Sequence, residues 1–246
     1  MTIDANTGVF SWTPTEAQGG TAPSVTITVT DNGTGTLADS ETFTISVGEV
    51  NDAPTITSNG GGASAGVTIA ENTTAVATVT ATDADGPSLT YSIAGGADAA
   101  RFTIDASTGA LGFVTAPNFE AATDSSADNV YDVVVQASDG ALTATQSLAV
   151  GVSNVNEAPT ALAPGSAAVN IQALGGTSVA TLVATDPDTG DAISFSLVDD
   201  GGGRFAVDAA SGQLSVASGA RLDDQGGTPF VLVVRVTDAA GLTYEQ

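Results

Sequence analysis

Two short acidic motifs carry the clearest chemical signal in the sequence. Residues 83–85 read Asp-Ala-Asp and residues 186–188 read Asp-Pro-Asp. In an extended segment, residues two apart point to the same side and lie about 7 Å apart, close enough to flank a hard divalent cation such as Ca²⁺. A single pair of this kind is also typical of a solvated turn. Only further oxygen ligands elsewhere in the sequence can distinguish a cation site from such a turn.

Two further segments offer side-chain oxygens. Residues 49–54 read Glu-Val-Asn-Asp-Ala-Pro and residues 154–159 read Asn-Val-Asn-Glu-Ala-Pro. Proline fixes its own φ and favours an extended residue before it, so each segment should be a stiff, extended linker. A third acidic position recurs after Val-Thr or Ala-Ser, at Asp31, Asp139 and Asp238. Each of these aspartates alone could simply end a strand and begin a turn.

The charge balance restricts the classes of function. The chain has 28 acidic residues against four Lys or Arg and no His, for a formal net charge of −24. Such a surface repels nucleic acid and anionic lipid, and it gains from divalent ions that neutralise carboxylates locally. The absence of Cys and His excludes thiolate and imidazole metal sites and the commonest general base. An acidic surface kept for solubility or salt tolerance is the alternative explanation.

The same landmarks return with a period of a little over one hundred residues. The turn sequence at 2–8 returns at 103–109 and, with substitutions, at 206–212, and its aspartates are 101 and 103 residues apart. The Asp-x-Asp pairs are 103 residues apart and the linkers 105. This period indicates a tandem array of sandwich-sized domains rather than a short-period solenoid.

Short segments rich in Thr and Val, separated by turn residues, predict an all-β fold of tandem Greek-key, immunoglobulin-like β-sandwich domains. In the middle repeat we expect seven strands, near 66–70, 75–81, 88–93, 101–104, 110–114, 130–138 and 142–152. Residues 105–109 should form a tight turn in which the Asp accepts backbone hydrogen bonds and the Gly takes positive φ.

The repeats divide the chain into three domains. We expect the C-terminal part of one domain over 1–52, a complete domain over 53–156 and a third domain over 157–246. Met1 stands where the other repeats have Phe102 and Phe205, so the first domain should lack its first half. The third domain should lack its last strand. No signal-peptide composition follows Met1, so any export signal should lie outside this sequence.

These motifs resemble those of cadherin domains, in the form also seen in the dystroglycan-type cadherin-like repeats of large bacterial surface adhesins. The resemblance covers essentially the whole chain. It implies calcium bound between consecutive domains. The implied ligands are a first-strand Glu and an Asp-x-Glu element from the upper domain, the Asp-x-Asn-Asp linker, and an Asp-x-Asp pair with a later Asp from the lower domain.

Matched residue by residue, the resemblance gives two ligand sets. Between the second and third domains the implied ligands are Glu71, Glu120, Asn154, Asn156, Glu157, Asp186, Asp188 and Asp238. Between the first and second domains they are Glu49, Asn51, Asp52, Asp83, Asp85 and Asp139. Glu16 is a further candidate there, for the Asp-x-Glu element. Asn118 and Asn154 stand where the family has Asp, which lowers the ligand charge.

The far end of the third repeat should carry no such site. Leu174 stands there opposite Glu71, and residues 222–225 only partly resemble the Asp-x-Glu element.

The resemblance implies a calcium-binding, non-enzymatic region of a surface or secreted adhesin that mediates calcium-dependent cell adhesion. Its partners would be a second copy of itself, other cell-surface proteins or glycans, but not nucleic acid. It would act outside the cell or at its surface, associated with the membrane through other parts of a parent protein rather than by insertion of its own.

Two other functions stay open. One is a passive stalk, stiffened by calcium, that projects a distal binding or enzymatic domain. The other is an enzyme, because two carboxylates suffice for glycoside hydrolysis. Acids that recur with the domain period fit poorly with an active site, which would occur once.

Overall fold

The computed structural model describes residues 1–35, 37–86, 88–170, 172–222 and 229–246. Residues 223–228, and with them most of the segment 222–225 considered above, lie outside the described part. The chain separates into two compact units. The first comprises Met1–Ile69, Thr74–Thr115 and Asp124–Gly151, and the second comprises Ala70–Thr73, Ala116–Thr123 and Val152–Gln246.

Strands and turns dominate throughout, as predicted. Three short 3-10 helices occur in the described residues, at Glu16–Gln18, Ser58–Gly60 and Ala99–Arg101. No helix in this part of the chain has both the length and the apolar composition needed to cross a membrane.

Two antiparallel hairpins form the first repeat. Its strands are β1 (Thr2–Ile3), β2 (Phe10–Ser11), β3 (Ser24–Thr30) and β4 (Ala38–Thr44). β1 pairs with β2, and β3 pairs with β4 over seven residues. The rings of Phe10 and Phe43 meet edge to face at 6.4 Å, although Phe43 stays 38% exposed. This repeat therefore buries less apolar surface than the next one.

The middle repeat has two main sheets. Its strands are β5 (Thr55–Ile56), β6 (Ser64–Ala70), β7 (Ala75–Thr78), β8 (Ala81–Thr82), β9 (Thr90–Gly95), β10 (Phe102–Ile104), β11 (Ala110–Phe113), β12 (Val130–Ser138) and β13 (Thr143–Ser153). One sheet has the order β6-β13-β12-β9 and the other β10-β11-β7, while β5 pairs with β8. The all-β prediction is confirmed.

One predicted strand, 75–81, is wrong as a single element. β7 ends at Thr78 and pairs with β11, whereas β8 begins at Ala81 and pairs with β5. Between them, the Val79 N–H donates to the Gly109 carbonyl at 2.8 Å, and the Thr80 carbonyl accepts from Thr57 at 2.8 Å. The segment divides because it changes hydrogen-bonding partner between these two residues.

The core of the middle repeat joins aromatic rings from both sheets. Alternate residues of β12 are buried, with Val133 at 1% and Val135 at 0% exposed, which confirms the predicted period of two. The Tyr131 ring of β12 meets the Phe113 ring of β11 at 5.0 Å, and Phe113 meets Phe102 at 4.4 Å. Burial of such rings stabilises a sandwich by packing as well as by removal of apolar surface from water.

The recurring turn has the predicted geometry. Asp105 Oδ1 accepts the N–H groups of Ser107 at 3.0 Å and Thr108 at 2.8 Å, and Gly109 has φ +71°. The hydrogen bonds from Thr108, backbone first and hydroxyl second, hold the pKa of Asp105 below its ordinary value. Asp4 and Asp208 accept the corresponding backbone bonds and have lowered pKa values for the same reason.

We expect Asp105→Ala to destabilise the protein more at pH 7 than at pH 3. Because the pKa of Asp105 is lower in the folded than in the unfolded state, its contribution is present above the unfolded value and is lost as the pH falls through the folded value. Urea denaturation at both pH values measures this difference. Equal destabilisation at pH 7 and pH 3 would contradict the role assigned to the ionised carboxylate.

A buried glutamine organises the loop after β5. Gln146 is fully buried, and its Nε2 donates to the carbonyls of Ser58 at 3.3 Å and Gly62 at 2.8 Å. Its Oε1 accepts from Asn59 at 3.3 Å. The side chain therefore supplies both donors that these two carbonyls need.

We predict that Gln146→Leu costs about 1–3 kcal/mol of unfolding free energy, because it leaves partly buried polar groups without partners. Urea denaturation provides the measurement. The control is Gln136→Leu, because Gln136 is only half-buried and its side-chain hydrogen bond, accepted from the Ser92 hydroxyl, is exposed. That change should cost less than about 0.5 kcal/mol. A Gln146 variant as stable as the Gln136 variant would refute the prediction.

The second unit repeats the sheet order of the middle repeat. Its strands are β14 (Ala161–Ala163), β15 (Ser178–Thr181), β16 (Val183–Thr185), β17 (Ser194–Asp199), β18 (Phe205–Val207), β19 (Gln213–Val216), β20 (Val233–Thr237) and β21 (Thr243–Glu245). The orders β17-β20-β21 and β15-β19-β18 match β9-β12-β13 and β7-β11-β10. Phe195, Phe205 and Val236 are among its buried core residues.

The domain boundaries at 52 and 156 stay a prediction.

Candidate metal centre

Glu71 is the most deeply buried acid of the candidate ligands. It follows β6 and is 1% exposed. Its Oε2 accepts the Phe119 N–H at 2.8 Å, and its Oε1 accepts the Val155 N–H at 2.8 Å. One carboxylate thus binds both the 116–123 loop and the linker at 154–159. Each oxygen keeps a second acceptor site that a cation could use.

Three glutamates of the second unit converge at this point. Glu71, Glu120 and Glu157 each offer one carboxylate oxygen, and these oxygens lie within 4.8 Å of one another. Desolvation raises the pKa of Glu120 above its ordinary value, and the negative charges of Glu71, Asp188 and Glu157 add to the rise. Such mutual repulsion favours a positive charge between the carboxylates.

Three aspartates form a second cluster in the same unit. Asp186, Asp191 and Asp238 also place one carboxylate oxygen each within 4.8 Å of the others. Burial acts to raise the pKa of Asp238, but hydrogen bonds from Asn156, Leu242 and Gly241 outweigh it and lower the pKa. Asp238 is therefore ionised at neutral pH although it is only 5% exposed.

The linker is bonded directly to the aspartates. The Glu157 N–H donates to Asp188 Oδ2 at 2.6 Å, and Asp188 N–H donates to Asp186 Oδ1 at 3.0 Å. The Asn156 amide donates to Asp238 Oδ2 at 2.7 Å. The linker therefore bonds two of the predicted ligands directly, Asp188 and Asp238, and Asp188 in turn bonds Asp186.

The first unit repeats this arrangement at the matching residues. The Asp52 N–H donates to Asp85 Oδ2 at 2.6 Å, and Asp85 N–H donates to Asp83 Oδ1 at 2.8 Å. The Asn51 amide donates to Asp139 Oδ2 at 2.8 Å. Backbone N–H donation, from Asp52 and Leu142 respectively, is the leading cause of the lowered pKa values of Asp85 and Asp139. Both predicted ligand sets thus share one hydrogen-bonding scheme.

Glu16 joins the acids of the first unit. It begins the 3-10 helix at Glu16–Gln18, where Thr15 and Gln18 form a capping box. Glu16, Glu49 and Asp85 bring one carboxylate oxygen each within 4.8 Å of the others. Hydrogen bonding to Glu49, and next to Asp85, raises the pKa of Glu16 to about 7. A proton or a cation is needed to hold these three carboxylates together.

Several carboxylate oxygens in these clusters are buried without a hydrogen-bond partner among the described residues. They are Asp83 Oδ2, Asp186 Oδ2, Asp188 Oδ1 and Asp191 Oδ2. The ion pair found in the described part of the chain, Arg235 with Glu245, lies elsewhere. A buried carboxylate oxygen with neither donor nor counter-charge is costly. This all-oxygen donor set fits a hard divalent cation.

Asp191 belongs to none of the motifs that recur in the sequence. It lies five residues after Asp186 in the same loop, but Ser88 stands at the matching position of the middle repeat, so the period gives no signal there. Asp31 Oδ1 accepts the N–H groups of Gly33 and Leu37 at 3.3 and 3.0 Å, and Asp139 and Asp238 accept turn hydrogen bonds of the same kind from Leu142 and Leu242 at 2.7 Å.

Solved structures similar to this chain include extracellular cadherin domains of protocadherins. Extracellular cadherin domains 3–6 of protocadherin gamma B2 are 25% identical, with a TM-score of 0.55, and the match covers 94% of this chain and 59% of that one. Protocadherin gammaB7 domains 3–6, solved as a cis-dimer, are also 25% identical, with a TM-score of 0.56 and coverages of 94% and 58%. This chain consists of cadherin-like tandem repeats.

Other comparisons concern parts of these cadherin-like repeats. Human protocadherin-24 domains 1–2 share 20% identity at a TM-score of 0.55, covering 80% of this chain and 93% of that one, which supports the fold alone. The family model He_PIG, "Putative Ig domain", matches residues 1–48. No curated protein matches the chain in sequence. The chain spans somewhat more than half of the two gamma protocadherin structures.

Proposed function

We propose that this region binds calcium at its two acidic centres and acts as an extracellular, calcium-dependent adhesion module. The observation that carries the proposal is the set of buried carboxylate oxygens without hydrogen-bond partners at Asp83, Asp186 and Asp188. Retaining ionised groups in such positions is costly unless a cation neutralises them. The cadherin-like fold, typical of adhesion-type extracellular repeats, supports the same function.

The residues that would hold calcium are those of the two ligand sets. In the second unit they are Glu71, Glu120, Asn154, Asn156, Glu157, Asp186, Asp188 and Asp238. In the first they are Glu49, Asn51, Asp52, Asp83, Asp85 and Asp139, with Glu16 beside them. Calcium, when bound, would supply the positive charge that these carboxylates lack. The protein groups orient the carboxylates through the backbone N–H donors of Asp52, Glu157 and Val155.

Isothermal titration of the 246-residue chain with calcium tests this binding. We expect dissociation constants of roughly 10⁻⁴ to 10⁻³ M, the range of extracellular modules. Magnesium should bind far more weakly, because it demands a small octahedral site and gives up its water reluctantly. Heats indistinguishable from dilution at millimolar calcium would refute the proposal.

Adhesion and a passive stalk are separated by a second experiment. The gammaB7 structure is a cis-dimer, which supports a second copy of this chain as the partner. Beads coated with the chain should aggregate in calcium and disperse in EDTA if adhesion is homophilic. If the chain binds calcium but the coated beads aggregate neither with one another nor with cells, the result would favour the stalk that projects another domain.

A further inference from the structure

The third repeat has an apolar groove lined by both of its main sheets. Its volume is about 430 Å³, which lies in the range of ligand-binding clefts. The apolar side chains along it include Leu182, Phe205, Leu214, Phe230 and Leu232. None of the lining residues belongs to either set of candidate calcium ligands. The groove is therefore a feature separate from the acidic centres.

The last strand of the middle repeat, β13, covers the matching position there. Tyr131 of β12 pairs with Val150 of β13, and Val133 pairs with Leu148. All four of these side chains are at most 1% exposed. The second half of β13 thus closes the core of the middle repeat.

The same face is less covered in the third repeat. Phe230 and Leu232 stand where β12 has Tyr131 and Val133, eight and six residues before the aspartate that follows the strand. Both Phe230 and Leu232 are only half-buried, and Val231 between them is 76% exposed. The apolar residues at this end of the β20 segment are therefore open to a further strand.

The hydrogen-bonded ladder of β20 and its neighbour ends before these residues. Val234 exchanges two backbone hydrogen bonds with Gln246, at 2.9 and 3.0 Å. Leu232 makes no backbone hydrogen bond to another described residue. Residues two apart along a strand direct their N–H and carbonyl groups to the same edge, so those of Leu232 continue the edge that Val234 uses. Unpaired backbone groups beside an apolar groove are what β-strand addition requires.

We propose that this groove binds an extended polypeptide strand with apolar residues at alternate positions, supplied by another protein chain. The strand would lie antiparallel to residues 229–234, in the register that the second half of β13 has with β12. Its backbone would bond to Leu232, and two of its apolar side chains would enter the groove opposite Phe230 and Leu232. Alternate positions are required because side chains of a strand repeat with a period of two. This inference goes beyond the proposed calcium binding and does not depend on it.

A labelled peptide with the sequence of residues 145–153, which spans the second half of β13, is the probe. Fluorescence anisotropy with the full chain should show saturable binding. The control peptide carries Leu148→Asp and Val150→Asp and should bind about tenfold or more weakly, because it would bury two charges in an apolar groove. Absence of binding by the first peptide, or equal binding by the two, overturns the inference.

Disulfide trapping tests the site and register without altering a side chain of the groove. The chain has no cysteine, so Val231→Cys introduces a single exposed thiol. In the register of β12 with β13, Val231 takes the place of Asp132, which pairs with Ala149. The short Cα separation of a pair that is not mutually hydrogen-bonded suits a disulfide.

The peptide with Ala149→Cys should therefore crosslink to the Val231→Cys chain about tenfold or more faster than the peptide with Ser153→Cys, which places the thiol four residues away. The matched control is Val29→Cys, at a residue of β3 that is 70% exposed, and it should not distinguish the two peptides. Equal rates for both peptides at Val231→Cys overturn the inference. A Val231→Cys chain that forms disulfide-linked dimers in excess peptide would show that a second copy covers the groove and would also overturn it.

Discussion

Millimolar calcium should raise the melting temperature of this protein, and equal magnesium should raise it much less. Without a cation, the carboxylates of Glu71, Glu120 and Glu157 repel one another at short range. A ligand that binds only the folded state stabilises it by about 2.7 kcal/mol per site at a concentration 100-fold above its dissociation constant. The rise should therefore grow with the logarithm of free calcium once binding saturates.

The double variant Asp186→Asn with Asp188→Asn should lose much of this rise. It removes two charges from the centre of the second unit while keeping side-chain size. The matched control, Asp199→Asn with Asp200→Asn, removes two charges in the same repeat, from residues whose carboxylates accept N–H groups of Gly201 and Gly203. Differential scanning fluorimetry in calcium, magnesium and EDTA provides the measurement. A double variant that responds to calcium like its control would show that these aspartates are not ligands.

Gly109→Ala should be among the most destabilising single substitutions in the chain. Gly109 has φ +71°, and a Cβ atom there would lie 2.1 Å from the Val79 carbonyl oxygen. The left-handed conformation alone costs roughly 1–2 kcal/mol for a non-glycine residue. Overpacking of this kind adds about 1–3 kcal/mol, so the sum is roughly 2–5 kcal/mol.

The repeats supply a matched control for this prediction. Gly8 occupies the same turn with φ +70°, but a Cβ there would have no neighbour within 4 Å. Gly8→Ala should therefore lose only the unfolding free energy that the left-handed conformation costs, roughly 1–2 kcal/mol. Gly212, whose Cβ would meet the Leu182 carbonyl oxygen at 2.5 Å, should behave like Gly109. Urea denaturation compares the three variants, and equal losses at Gly8 and Gly109 would show that the close carbonyl does not matter.

The fold was largely predictable because its signals are local. The Asp105 to Gly109 turn depends on one side chain and one glycine in the same five residues, and β12 follows the simple alternation of Val133 and Val135. The division of 75–81 into β7 and β8 was not predictable in this way, since it depends on Gly109 and Thr57, distant partners of Val79 and Thr80.

The candidate ligands were located by a different kind of signal. The linker and Asp-x-Asp acids stand out because they recur with the domain period. Asp191 does not recur, and its meeting with Asp238 depends on the approach of two loops far apart in sequence. Gln146 lies on the buried face of β13 together with Leu148 and Val150, as the alternation predicts, but its hydrogen bonds depend on the path of the distant 58–62 loop.

A crystal structure of the chain grown in calcium, with anomalous scattering data, tests the central proposal most directly. We expect anomalous peaks coordinated by carboxylate oxygens of Glu71, Glu120 and Glu157, by those of Asp186, Asp191 and Asp238, and by those of Glu49 and Asp85. Crystals grown in several millimolar calcium that show water or nothing at these carboxylates, while the repeats keep their fold, would contradict it.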